Sequence, residues 1–146
     1  MTTAEIIENI TSRDTHRVWS SACEIISLGQ GREKILPLIE YLPDIIEKTK
    51  GLKMGGIFAP NQRFVDFAIR TIEFHRDSQS CSCTLFTEHG VDPHKEVEKG
   101  NIESSETVYE QRNWVDYYLA NCRKCGQKFK IIERESHYMW WAWEKV

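Results

Sequence analysis

The chain has 146 residues, 40% hydrophobic and 28% charged, with eight Gly and four Pro. This composition suits one domain or two small subdomains and excludes a disordered or low-complexity polypeptide. The formal net charge is −3, from 22 acidic and 19 basic residues, so a uniformly basic nucleic-acid-binding surface is excluded and only local basic patches remain.

The first half reads as short helices. "AEIIENI" (4–10) is apolar at helical spacing, and Thr11, Ser12 and Asp14 in the following "TSRD" are all suitable N-caps. In "THRVWSSACEIISLG", Val18, Trp19, Ala22, Cys23, Ile25 and Ile26 recur at helical spacing, and Gly29 is placed to cap the end. Cys23 on that face reads as a small buried hydrophobe. A helix starting near Arg32 or Glu33 carries Ile35, Leu36, Leu38, Ile39 and Leu42 on one face. Pro37 is tolerated only in its first turn, and Pro43 ends it and opens another short helix to about Lys50. "GLKMGGIFAPN" is a loop. "QRFVDFAIRTIEFHRD" then sets Phe64, Val65, Ala68, Ile69 and Ile72 on one face and Arg63, Asp66, Arg70 and Glu73 on the other. Over residues 14–76 this pattern resembles HEAT-like or armadillo-like α-hairpins; an irregular helical layer packed on the second half fits equally well.

Residues 1–77 are therefore expected to form a helical subdomain, and the character changes near Ser78. "CSCTLFTE" predicts a strand. Residues 89–106 are polar, with Gly90, Pro93 and Gly100, and predict a long loop holding at most one helical turn. "TVYEQ", "WVDYYLAN", "KFKIIERE" and "HYMWWAWE" are rich in aromatic and β-branched residues and predict an antiparallel meander over 78–146. The expected class is α+β, helical hairpins packed with a metal-stapled sheet as one unit.

Four of the five cysteines fall in two pairs, Cys81-x-Cys83 and Cys122-x-x-Cys125-Gly126. The second pair lies between two predicted strands and has the form of a zinc knuckle. Two thiolates so spaced converge on one ion only if the backbone turns tightly, and Gly126 permits the left-handed conformation such a turn uses. The first pair departs from the usual zinc ribbon, because Cys-x-Cys on a regular strand points its sulfurs to opposite faces. Both ligate one ion only if the chain kinks there; otherwise His75, His89 or His94 supplies the fourth ligand. The expected centre is one structural zinc on Cys81, Cys83, Cys122 and Cys125. A redox role is the competing reading, but a redox Cys-x-x-Cys opens a helix, whereas a strand-like "KFKII" follows here.

The N-terminal stretch lacks the basic and apolar regions of a secretory signal, and no apolar run approaches the roughly eighteen residues of a membrane helix. The expected location is the cytoplasm, where paired cysteines serve metals more than disulfides. No phosphate-binding loop, nucleophile elbow or His-Glu-x-x-His motif is present, and no catalytic residues are assigned. His16, His75, His89, His94 and His137 read as surface or interface histidines, and Glu133 and Glu135 as a solvated edge. The last strand is apolar on both sides, with Tyr138, Trp140 and Ala142 facing one way and Met139, Trp141 and Trp143 the other. It requires a cover on each face, or a partner.

In size, acidity and layout, the chain resembles the small immunity proteins of bacterial toxin–immunity systems, including those of contact-dependent inhibition. The resemblance implies a non-catalytic module that neutralises a partner toxin, with acidic residues such as Glu96, Glu98, Glu103 and Glu106 steering a basic partner. Two other readings stay open. One is a zinc-ribbon nucleic-acid binder using Lys124, Lys128 and Lys130; the other is an enzyme without a recognisable motif.

Overall fold

In a computed structural model, which describes residues 1–56, 60–109, 114–135 and 138–146, the chain is α+β and its contacts divide into two units, Met1–Ser80 and Cys81–Val146. His137, Ser136, Glu110 and Gln111, expected in or beside strands, lie outside the described residues, as do 57–59 of the expected loop.

The first unit is helical. Thr2 and Glu5 cap α1 (Thr3–Ile10) reciprocally, the Thr2 hydroxyl accepting the Glu5 N–H while the Glu5 carboxylate accepts the Thr2 N–H. Asp14 caps α2 (Thr15–Leu28), accepting the Arg17 N–H at 3.0 Å. α3 (Arg32–Ile35) passes into a 3-10 segment, Leu36–Tyr41, and then α4 (Leu42–Thr49). Pro37 and Pro43 each fall in the first turn of a segment, where the missing N–H removes no helical bond. α5 (Gln62–Asp77) completes the unit. Its core joins Ile6, Ile10, Val18, Ala22, Ile25, Ile35, Leu38, Leu42, Ile45, Val65, Ala68 and Ile72.

Three expectations change in this unit. Trp19 stays partly exposed, edge-on to Phe64 at 6.1 Å, and Cys23 is only half-buried. Gly29 caps α2 as expected, in a right-handed backbone, and its small size matters there, since a Cβ would lie 3.1 Å from Thr71 Cγ2. His75 is not a surface residue but is buried at 2% exposure. The Arg32 guanidinium, which can only donate, lies 3.4 Å from His75 Nδ1. Nδ1 therefore accepts, and Nε2–H donates to the Gly29 carbonyl at 2.7 Å. Among the described residues, no helix is long and apolar enough to cross a membrane.

The second unit is a four-stranded antiparallel meander in the order β1 (Ile102–Tyr109), β2 (Val115–Cys122), β3 (Lys128–Glu135), β4 (Met139–Lys145). Register divides its side chains by face. Thr107, Tyr118, Ile131 and Trp143 are cross-strand neighbours on one face, with Ala120 opposite Phe129 and Glu133 opposite Trp141. Val108, Tyr117, Ile132 and Ala142 share the other. The first, inner face is covered from within the unit by the segment preceding β1. Phe86 stacks 4.8 Å from Trp143 and 6.3 Å from Phe129, and Trp143 Nε1 donates to the Val91 carbonyl at 2.8 Å. The other face is only half-buried at Tyr117, Leu119, Ile132 and Ala142.

That covering segment corrects the strand expected at "CSCTLFTE". Ser82–Thr84 is a 3-10 turn, followed by α6 (Leu85–His89). Leu85 and Phe86 are adjacent yet both buried, which a strand covered on one face does not allow but a short helix does. The expected long loop is also largely ordered. Asp92 caps α7 (Pro93–Glu98), accepting the His94 N–H at 2.9 Å, and β1 begins at Ile102 rather than Thr107. Its first half, "IESSE", is polar and interrupted by a bulge between Ser104 and Glu106, which hid the strand's alternation.

Candidate metal centre

The turn joining β2 to β3 wraps around the second cysteine pair. Cys122 N–H donates to Gln127 O at 2.8 Å, and Gly126 N–H donates to Cys122 O at 2.9 Å. Gly126 has φ +78 and no atom within 4 Å of the position a Cβ would take. The backbone angle, not crowding, calls for glycine there.

The first pair resolves the problem of alternation by not being a strand. Cys81 is extended (φ −63, ψ 130), and the chain then turns at once into the 3-10 segment that carries Cys83. This brings both sulfurs to the same side. Cys81 Sγ lies 3.7 Å from Cys122 Sγ and Cys83 Sγ lies 3.6 Å from Cys125 Sγ; all four sulfurs lie within 4.8 Å of one another. A regular tetrahedron of thiolates at zinc–sulfur distance, about 2.3 Å, has edges of about 3.8 Å. A disulfide needs about 2.05 Å. The cluster therefore has the spacing of ligands around an ion and can hold one. Among the described residues it contains four cysteines and no histidine.

The acidity of the metal-free thiols follows position. Burial pushes the Cys81 and Cys83 thiols up, and neighbouring thiols add to this at Cys83. At exposed Cys125, burial also acts upward, but the Gln127 backbone N–H and the Cys83, Cys122 and Cys81 thiols outweigh it and hold the group below its ordinary value. Collecting thiolates here without a cation is costly, and a bound divalent cation offsets that cost.

The four acids expected to meet a partner do not form one patch. Glu96 is buried at 6% exposure; it accepts from Asn101 Nδ2 at 2.7 Å and faces Lys99 Nζ at 3.4 Å, tying α7 to the entry of β1. It is a structural residue. Glu98, Glu103 and Glu106 are exposed. The bulge puts Glu103 and Glu106, opposite Asn121 and Leu119, on the same outer face despite their odd spacing. Lys124 and Lys128 are exposed around the knuckle, while Lys130 Nζ lies 4.6 Å from the Tyr117 ring centroid.

Sequence reasoning missed a polar cluster on the inner face. Glu133 is not a solvated edge residue: β3 is an interior strand, and the Glu133 side chain is 15% exposed. Its carboxylate accepts from Tyr118 Oη at 3.1 Å and Trp141 Nε1 at 3.0 Å, and faces His94 Nε2 at 3.4 Å. Burial and the Glu133 carboxylate push the Tyr118 phenol up to about 12. The signal was present in the sequence, because Glu133 has the same parity on β3 as Phe129 and Ile131. A carboxylate on the apolar side of a strand requires donors around it. No family model, curated protein or solved structure matches this chain, so its geometry is read by itself.

Proposed function

We propose that the four cysteines bind one zinc ion as a structural staple and that the chain is a non-catalytic protein-binding module. The sulfur spacing carries the metal assignment. An all-thiolate set suits zinc rather than a hard oxygen-seeking cation, and four protein ligands leave no coordination position for a reacting water. The binding role draws support from large apolar side chains in solvent: Tyr109 at 60% exposure, Trp114 at 66% and Trp140 at 39%, with Tyr138 and Met139 beside them. They gather where β1 meets β2 and β3 meets β4, at the end of the sheet away from the cysteine knuckle. Aromatic anchors of this kind dominate protein interfaces.

In its specific form, the reading is a cytoplasmic immunity-type protein that neutralises a partner bacterial toxin. Its first unit would be of the HEAT-like hairpin kind, and exposed Glu98, Glu103 and Glu106 would steer a basic toxin domain. Metal analysis tests the staple: one zinc per chain is expected, lost in the double variant C122S/C125S. Folded, zinc-free protein would overturn it. Co-purification with the product of the neighbouring reading frame tests the binding role. A toxin domain bound by the wild type and released by Trp114→Ala with Trp140→Ala is expected; an unaffected complex would refute the aromatic end as the interface. Exposed Arg123, Lys124 and Lys128 favour a second reading, nucleic-acid binding at the knuckle, which a salt-dependent affinity for DNA or RNA would support.

A further inference from the structure

A cleft of about 370 Å³ lies beside α7, over the inner face of β1 to β3. Its floor is apolar, from Ile102, Ala120 and Ile131, and its polar lining includes His94, Tyr118 and Glu98. It shares no residue with the metal centre. An apolar cleft with a few convergent polar groups is the usual form of a small-ligand site.

The hydrogen bonds around the cleft specify what such a ligand must offer. Tyr118 gives its hydroxyl proton to Glu133, and His94 Nε2 lies 3.3 Å from Tyr118 Oη, so one Oη lone pair faces His94 and one is left for a ligand. His94 Nε2 also lies 3.4 Å from Glu133 Oε1, so its N–H is shared between that carboxylate and Tyr118 Oη, and in the neutral ring Nδ1 is an acceptor. Glu98 adds an exposed carboxylate, and no Lys or Arg is among the described lining residues. Ser104 and Thr107 add hydroxyls that can donate or accept, so among the described lining residues the one fixed charge is the Glu98 carboxylate, above an apolar floor. The Tyr118 ring, edge-to-face with His94 at 5.2 Å, adds a π-surface. Such a surface also favours a cation.

We propose that this cleft binds a small amphipathic amine, its apolar body on Ile102, Ala120 and Ile131 and its ammonium group directed to Tyr118 Oη and Glu98. A carboxylic acid of the same shape meets Glu98, with Glu133 behind Tyr118, and finds no Lys or Arg among the described lining residues to offset that charge.

Titration of the folded full-length chain with 2-phenylethylamine and with 3-phenylpropionate, followed by backbone amide NMR, tests the proposal. The amine is expected to shift the Ile102, Tyr118 and Ile131 signals saturably, and the acid is not. Tyr118→Phe keeps the ring and removes the acceptor, while Glu98→Gln removes a charge from an exposed position. Each is expected to weaken amine binding about tenfold, the scale of one hydrogen bond to a charged group. The same spectra report whether each variant is folded. Equal shifts from amine and acid, no saturable shift, or amine affinity unchanged in Glu98→Gln would each overturn the proposal.

Discussion

Replacing Gly90 by alanine tests how α6 is seated on the sheet. Gly90 closes α6 in a left-handed conformation, φ 57 and ψ 47, with its N–H donating to Phe86 O at 3.1 Å. A Cβ at this position would lie 2.5 Å from the Trp141 carbonyl oxygen. The left-handed backbone costs an alanine about 1–2 kcal/mol. The collision is with backbone of β4, which cannot rotate aside, and overpacking of this kind adds about 1–3 kcal/mol. The expected loss is therefore about 2–5 kcal/mol, a large part of the roughly 5–15 kcal/mol available to a domain. Gly100 supplies the control: its φ is +77, but nothing lies within 4 Å of a Cβ there. Gly100→Ala should lose only the backbone cost of about 1–2 kcal/mol. Urea unfolding of the metal-loaded protein, followed by tryptophan fluorescence, measures both. Equal losses for the two variants would refute the close approach of α6 to β4 and the covered inner face built on it.

Phe129→Ala removes a fully buried ring that meets both Phe86 and Trp143, and should cost about 3–5 kcal/mol in the same assay. The metal-free protein should lose stability in alkali. Burial raises the Cys81 and Cys83 thiols in the folded state, so their contribution is complete below the ordinary thiol value of 9.0 and declines above it, where only the unfolded thiols ionise. The metal-loaded protein should show the opposite limit, releasing metal as pH falls, because protons compete for the thiolates; chelator competition across pH measures this. Spectrophotometric titration should find one tyrosine, Tyr118, ionising near pH 12, and Glu133→Gln should move it downward by removing the carboxylate that opposes its ionisation. An unchanged titration in that variant would refute the Tyr118–Glu133 contact.

The sequence by itself determined the elements whose cause is local. Asp14 as a cap, Pro37 and Pro43 in first turns, the unbroken apolar face of α5 and the three strands after residue 114 follow from side-chain shape, backbone angles and periodicity. The pairing of Cys81 and Cys83 with Cys122 and Cys125 was also legible, because few ligand sets satisfy a tetrahedral ion. Tertiary structure decided the rest. "CSCTLF" carries residues that suit a strand, but it folds as a turn and a short helix that sets Phe86 on Phe129 and Trp143 of the sheet and brings Cys81 and Cys83 to one side. The bulge in β1 moves Glu106 onto the face of Glu103. Glu133 looked solvated beside Arg134, yet β4 and α7 place Trp141 and His94 around it and make it the acceptor of an inner-face cluster. Such assignments depend on which neighbour arrives across the sheet, a non-local fact that a residue's own chain context does not contain.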